Sequence, residues 1–195
     1  MRHGGKRTAY LVLAVALACV LVACAGCGGD TGVAKKYCLA GDALYNQATT
    51  IGRQLDTVKA ELLRLMVAND VPGLVAKEAA IVGIDKQINK SKATLDKAVA
   101  EYRKVQGLTG VDKYKQYASM QMEAALKEQQ ALALGQQLAS YVLGLVVAAK
   151  AGKPVNPSDS LRAVSTSVNT LDSLERDIDT ILRNASNFAI DNHLF

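Results

Sequence analysis

Apolar residues recur along most of the chain at alternating intervals of four and three, and that rhythm predicts long helices. The first stretch runs from about Ala34 to Ala68, where Leu44, Ala48, Ile51, Leu55, Val58, Leu62 and Leu65 form one line, continued backwards by Gly41 and Tyr37. A seam with this period packs along neighbouring helices with a slight left-handed crossing. Asn69-Asp70-Val71-Pro72 ends it, because proline cannot continue a helix interior yet suits the first turn of the next helix. The second stretch, from about Pro72 to Gln106, carries Leu74, Ile81, Ile84, Ile88, Leu95, Ala98, Tyr102 and Val105 at similar spacing. Gly107-Leu108-Thr109-Gly110 marks the next turn, with Gly107 expected to supply the helix stop. A third helix is predicted from about Val111 to Lys150, and Gly152-Lys153-Pro154-Val155-Asn156-Pro157 is the clearest break in the chain. Ser158 is expected to cap a fourth helix, from about residue 158 to 190, whose inner face holds Leu161, Val164, Val168, Leu171, Leu174, Ile178, Ile181, Ala185 and Phe188.

Short connections between long helices favour antiparallel neighbours. The expected architecture over residues 34–195 is therefore all-α: an antiparallel up-down-up-down four-helix bundle with coiled-coil-like packing. Helices of this length make a rod roughly 50 Å long. Composition agrees, since half of the residues are hydrophobic while only three are proline and none is tryptophan.

Two helix faces stand out. Lys86, Lys90, Lys97 and Lys104 line one side of the second helix, but Asp85, Asp96 and Glu101 are interspersed, which favours a solvated face over a binding stripe. In the third helix, Gln129 to Ala149 carries no charge, and that run meets the length of a membrane span. Gln129, Gln130, Gln136 and Gln137 would place amides in or near hydrocarbon at a cost, so a helix end buried on all sides, by a second subunit or another partner, fits better. Leu138, Val142 and Leu145 are the candidate partner surface, and Gly135 and Gly144 would let a neighbouring helix come close.

The N-terminus follows different rules. Arg2, Lys6 and Arg7 precede the apolar run Ala9–Val22, and Cys24-Ala25-Gly26-Cys27-Gly28-Gly29 follows it, the order of a secretory signal. Leu21-Val22-Ala23-Cys24 resembles the lipobox of bacterial lipoproteins, in which an aliphatic residue, a tolerant position and a small residue precede cysteine. The resemblance covers residues 1–29 and no helix beyond them. It implies that residues 1–23 are a signal peptide removed behind Ala23, that Cys24 receives a diacylglyceryl thioether, and that 24–33 form a lipidated, glycine-rich leader. The implied address is the extracytoplasmic face of the bacterial cell envelope, anchored to a membrane. An ordinary signal or uncleaved anchor is the competing reading; Cys19 and Cys27 match the motif less well, with Ala16 and Cys24 at the aliphatic position.

Cleavage changes the charge. Losing three basic residues lowers Lys+Arg from 23 to 20 against 18 Asp+Glu, so the net charge falls from +5 to +2, which gives no support for a nucleic-acid partner. Cys27 and Cys38 then remain either as a disulfide pair, worth roughly 2–3 kcal/mol in the chain-entropy picture, or as two free thiols. No metal site and no cofactor are expected, because His3 and His193 are the only histidines. The same scarcity leaves diiron, haem and serine–histidine chemistry without ligands or base, so an enzyme is not expected.

Antiparallel order gathers Tyr37, Tyr45, Tyr102, Tyr114, Tyr117, Phe188 and Phe195 at the end nearest the leader. Core filling is the default for such a cluster, and a ligand pocket formed by Tyr45, Tyr102, Tyr114 and Tyr117 is the alternative. The leading functional expectation is a non-enzymatic interaction or scaffold lipoprotein of the envelope, with an envelope protein or a second copy as partner. The alternative is a helical-bundle lipoprotein that binds a small or hydrophobic molecule.

Overall fold

The computed structural model describes the backbone of residues 29–195 and their side chains outside 29, 51–56 and 163. Residues 1–23, expected to be a signal peptide, and Cys24 and Cys27 lie outside the described residues. Every regular element among those described is a helix: α1 (Gly29–Val67), α2 (Val71–Ala76), α3 (Glu78–Gln106), α4 (Asp112–Lys150) and α5 (Pro157–Asp191).

The first helix begins earlier than its sequence suggests. Gly29 to Val33, expected to belong to the leader, already form the first turn of α1. Asp30 supplies a reason: its carboxylate accepts from the backbone N–H of Thr109 at 2.8 Å and from its hydroxyl at 3.0 Å. These bonds hold Asp30 below the usual carboxylate pKa, and an acidic residue in a first turn also complements the helix dipole. The start of α1 is thereby tied to the turn between α3 and α4.

Helix ends follow local chemistry. After α1, Asn69 adopts a left-handed conformation (φ 54°), Asp70 N–H reaches Leu65 O at 2.9 Å and Asn69 N–H reaches Met66 O at 3.1 Å. That is a Schellman stop, and Gly152 repeats it after α4 with φ 71°. The Asp70 carboxylate then caps α2 by accepting from Gly73 N–H at 2.8 Å, with Pro72 in the first turn. The predicted single helix over 72–106 is divided, because Lys77 N–H bonds to Leu74 O in a tighter turn before Ile81 N–H takes up Lys77 O. Gly107 stops α3 with right-handed angles (φ −81°), and Gly110 (φ 67°) is the residue that uses glycine's freedom. Asn156, not Ser158, caps α5: Pro157 takes the first helical position, so the capping oxygen comes from the residue before it. The Asn156 side chain accepts from Asp159 N–H at 3.4 Å, while the Ser158 hydroxyl donates to Asn156 at 2.8 Å.

Successive long helices run antiparallel. Ser91 of α3 donates to Ala48 O of α1 at 3.1 Å, and Lys77, immediately before α3, pairs with Glu61 of α1 at 2.9 Å. On α3 and α4, Gln129 donates to Asp96 at 2.7 Å and Lys150 pairs with Glu78 at 2.8 Å. Lys127 pairs with Asp177 across α4 and α5 at 3.0 Å, and Lys59 with Glu175 across α1 and α5 at 2.7 Å.

The seams face inward as their period requires. Leu74, Ile81, Ile84, Ile88, Leu95, Ala98, Tyr102 and Val105 are all buried. On α5, buried Val164, Leu171, Ile178 and Ala185 alternate with half-buried Leu161, Val168, Leu174 and Ile181, so that helix seals the core less completely. Lys86, Lys90, Lys97 and Lys104 are all exposed, and Lys104 both pairs with Glu101 and lies 5.2 Å from the centroid of the Tyr37 ring.

A tyrosine and carboxylate network as candidate site

At the end where α1 begins, one helix face presents Cys38, Gly41, Asp42 and Tyr45 at spacings of three and four, toward α3 and α4. Cys38 is fully buried. Gly41 is the point of closest approach: a Cβ at that position would collide with the Tyr102 ring. The absence of a side chain therefore lets a fully buried tyrosine pack closely against α1.

That placement brings the Tyr102 hydroxyl to one oxygen of Asp42, to which it donates at 2.7 Å. Tyr117 of α4 donates to the other oxygen at 2.8 Å, and Gln121 donates its amide N–H to the Tyr117 hydroxyl at 2.9 Å. One half-buried carboxylate is thus held by hydroxyls from two other helices. Burial pushes the Asp42 carboxyl up to about 6, with the two tyrosine bonds pulling the other way. Tyr102 and Tyr117 rise well above the usual phenol value, first through burial and then through the Asp42 charge. The Cys38 thiol is pushed up to about 12 by burial and by Asp42. Burial thus favours the protonated forms of Tyr102, Tyr117 and Cys38, and the raised Asp42 carboxyl is a group of the network at which a proton can be taken up or released.

The tail after α5 closes this end. His193 turns the chain with φ 52°, and the Tyr114 hydroxyl donates to Leu194 O at 2.5 Å. Phe195 meets Tyr117 edge-on at 5.1 Å between centroids and Tyr114 at 6.1 Å.

The four tyrosines named from the sequence are thus divided. Tyr102 and Tyr117 meet on Asp42, and Tyr114 is held by the tail. Tyr45, the next turn of α1, is buried with its hydroxyl lacking a hydrogen-bond partner among the described residues, its pKa raised by burial and then by Glu128 and Asp179. Cys38 is buried; whether it pairs with Cys27 lies outside the described residues, as does Cys24, the expected lipid site. Sequence reasoning missed Asp42 and Gln121. The available signal was the position of Asp42, four residues after Cys38 and three before Tyr45, beside a glycine on an apolar seam.

The residues named as a candidate partner surface lie mostly on the inward side of α4. Val142 is buried, and Leu138 and Leu145 are half-buried against the core, because the inner line of α4 passes through Ala139, Val142 and Val146. The residues of that stretch that reach solvent include Tyr141, Gly144 and Val147. Two concavities lie away from the tyrosines. A crevice lined by Val71, Leu74, Leu145, Val146, Val155 and Pro157 has no room for a water molecule. A groove of about 70 Å³ is lined by Ile81, Val82, Asp85, Ala139, Ser140 and Leu143. Among the described residues no group of three or more His, Cys, Asp or Glu is placed to hold a metal ion. Comparison with protein-family models, with curated proteins and with solved structures finds no match.

Proposed function

We propose that this chain is a membrane-anchored extracytoplasmic lipoprotein that serves the bacterial cell envelope as a non-enzymatic interaction or scaffold module. The observation that carries the reading is Leu21-Val22-Ala23-Cys24 behind the apolar run Ala9–Val22 and three basic residues. Cys24 is the lipidated residue, and its acyl chains anchor the protein without help from the helices. The antiparallel pairs close into a four-helix up-down-up-down bundle with coiled-coil-like packing. The helical start at Gly29 supports a short tether, since the five residues from Cys24 reach at most roughly 18 Å. The tyrosine and Asp42 end then faces the membrane, and the α1–α2 and α4–α5 corners face away.

The test is fatty-acid labelling with cell fractionation. The natural chain is expected in the membrane fraction with label on Cys24, and Cys24→Ala is expected to lose both label and processing. Label retained by Cys24→Ala overturns the reading. Crosslinking in intact cells, with Cys24→Ala as the unanchored control, identifies the partner.

The second reading, a lipoprotein that binds a small or hydrophobic molecule, is favoured by the buried, unpartnered hydroxyl of Tyr45. A bound molecule of a few hundred daltons seen by native mass spectrometry, and lost in Tyr45→Phe, would support it.

A further inference from the structure

Helix α4 carries a second heptad line, and this one faces outward. Leu126, Gln130, Ala133 and Gln137 follow one another at alternating four and three, and Ser140, Gly144 and Val147 continue the line. All are exposed except Ala133, which is half-buried. Leu126 and Val147, at the two ends of the line, are 45% and 56% exposed, and exposed Tyr141 adjoins it. No charge falls on the line over this length, although Asp112 and Glu123 occupy the same line further back. The outward face of α3 shows the usual alternative, with four exposed lysines. Exposed helix faces are ordinarily charged, so a neutral one with a coiled-coil period asks for a partner helix.

A second observation is independent of that pattern. Gly144 sits inside a helix, where glycine weakens the structure, yet a Cβ added there would meet nothing within 4 Å. Nothing among the described residues requires a glycine at that point. Beside the line runs the groove of about 70 Å³ bordered by Ser140, Leu143 and exposed Val82, which is room for an incoming side chain. Only 33% of the most apolar window of α4 is buried within the chain.

We infer that this neutral line of α4 is a self-association surface, occupied by the same line of a second copy running parallel to it. Parallel pairing sets Leu126 against its own copy at one end and Val147 against its own copy at the other. Between them Gln130 and Gln137 each meet the same residue of the second copy. Amide then meets amide, the arrangement by which a polar residue at such a position specifies register and a two-stranded state. Ala133, Ser140 and Gly144 carry little or no side chain, so the two backbones can close toward residue 144. Antiparallel pairing that keeps the neutral stretches together would set Leu126 against Val147 and Gln130 against Gly144, leaving the Gln130 amide without an amide partner. A lipid surface would have to accept both amides without partners. A line without charge offers nothing to a charged partner, whereas a second copy presents a line that is neutral over the same length.

The area sets the strength. From Leu126 to Val147 the line is about 33 Å long and one helix wide, less than the roughly 800 Å² per partner of a standard interface. The small residues at its middle reduce the buried apolar area further. The contact is therefore weak in solution, and confinement of both copies to one membrane raises their effective concentration. This parallel arrangement rests on the shared anchor proposed above and deepens the scaffold reading.

Cysteine crosslinking of the full chain in native membranes tests it, with the natural chain as background and Lys86→Cys as a collision control. Leu126→Cys, Gln137→Cys and Val147→Cys are each expected to give dimer well above that control. Adding Gln137→Glu or Gln137→Lys to Val147→Cys is expected to lower the yield about tenfold, and co-expression of the two is expected to restore it. Yields no higher than for Lys86→Cys overturn the proposal, as does crosslinking at Gln137→Cys alone, which marks an antiparallel pair. Monomeric chain that binds vesicles through α4 after Cys24→Ala also overturns it, in favour of a lipid surface. Fatty-acid labelling of the same samples separates a failed anchor from a failed dimer.

Discussion

The ring of Tyr102 fills the space where Gly41 would carry a side chain, and its hydroxyl donates to the neighbouring Asp42 at 2.7 Å. This contact joins α1 to α3 and sets Asp42 between α3 and α4. Gly41→Ala is expected to destabilise by about 1–3 kcal/mol through overpacking, despite alanine's better helix propensity. Gly83→Ala, whose Cβ would meet nothing within 4 Å, is expected to stabilise by about 0.5–1 kcal/mol. Urea denaturation of the two variants checks the contrast.

Asp42 makes stability depend on pH in a defined direction. Its carboxyl is raised from 3.8 to about 6 on folding, so the folded state binds the proton more tightly. The resulting stabilisation is complete below pH 3.8 and is lost as pH rises through about 6. Its size is about 2–3 kcal/mol. Asp42→Asn is expected to remove this share of the slope between about pH 4 and pH 7, measured as the difference in urea midpoints between the two proteins.

Tyrosine hydroxyls at this end differ in what they contribute. Tyr102→Phe deprives Asp42 of a donor and is expected to cost about 1–2 kcal/mol, while raising the Asp42 pKa further. Tyr45→Phe removes a buried hydroxyl that has no partner among the described residues and is expected to be neutral or stabilising by about 1 kcal/mol. Thermal denaturation, with the Asp42 carboxyl followed by NMR titration, distinguishes them.

The N-cap of α5 gives a local test. Asn156→Ala is expected to cost about 1 kcal/mol, because the Asn156 oxygen accepts from Asp159 N–H. Ser158→Ala is expected to cost about 0.5 kcal/mol or less, since its hydroxyl reaches Asn156 and not the helix backbone. Chemical denaturation reads both.

Helix period was legible because it is local. The seam of α2 and α3 appears in the sequence as Leu74 to Val105 and is buried position by position, and Pro72 and Pro157 mark helix starts through a fixed backbone angle. Caps were less legible where two residues compete for one role, as Asn156 and Ser158 do. The added first turn of α1 was hidden because its support, Asp30 on Thr109, spans 79 positions along the chain.

By itself, then, the sequence determined the long helices and the residues lining most of their seams, each of which depends on near neighbours in the chain. The tertiary structure decided which polar groups meet. Asp42 finds Tyr102 and Tyr117, 60 and 75 positions away, only when three helices take particular rotations about their axes. Rotation also decided that Val142 faces the core while Gly144 and Val147 face out. A heptad fixes the angle between residues on one helix, but the direction in which that helix faces is set by the shape of the helices around it.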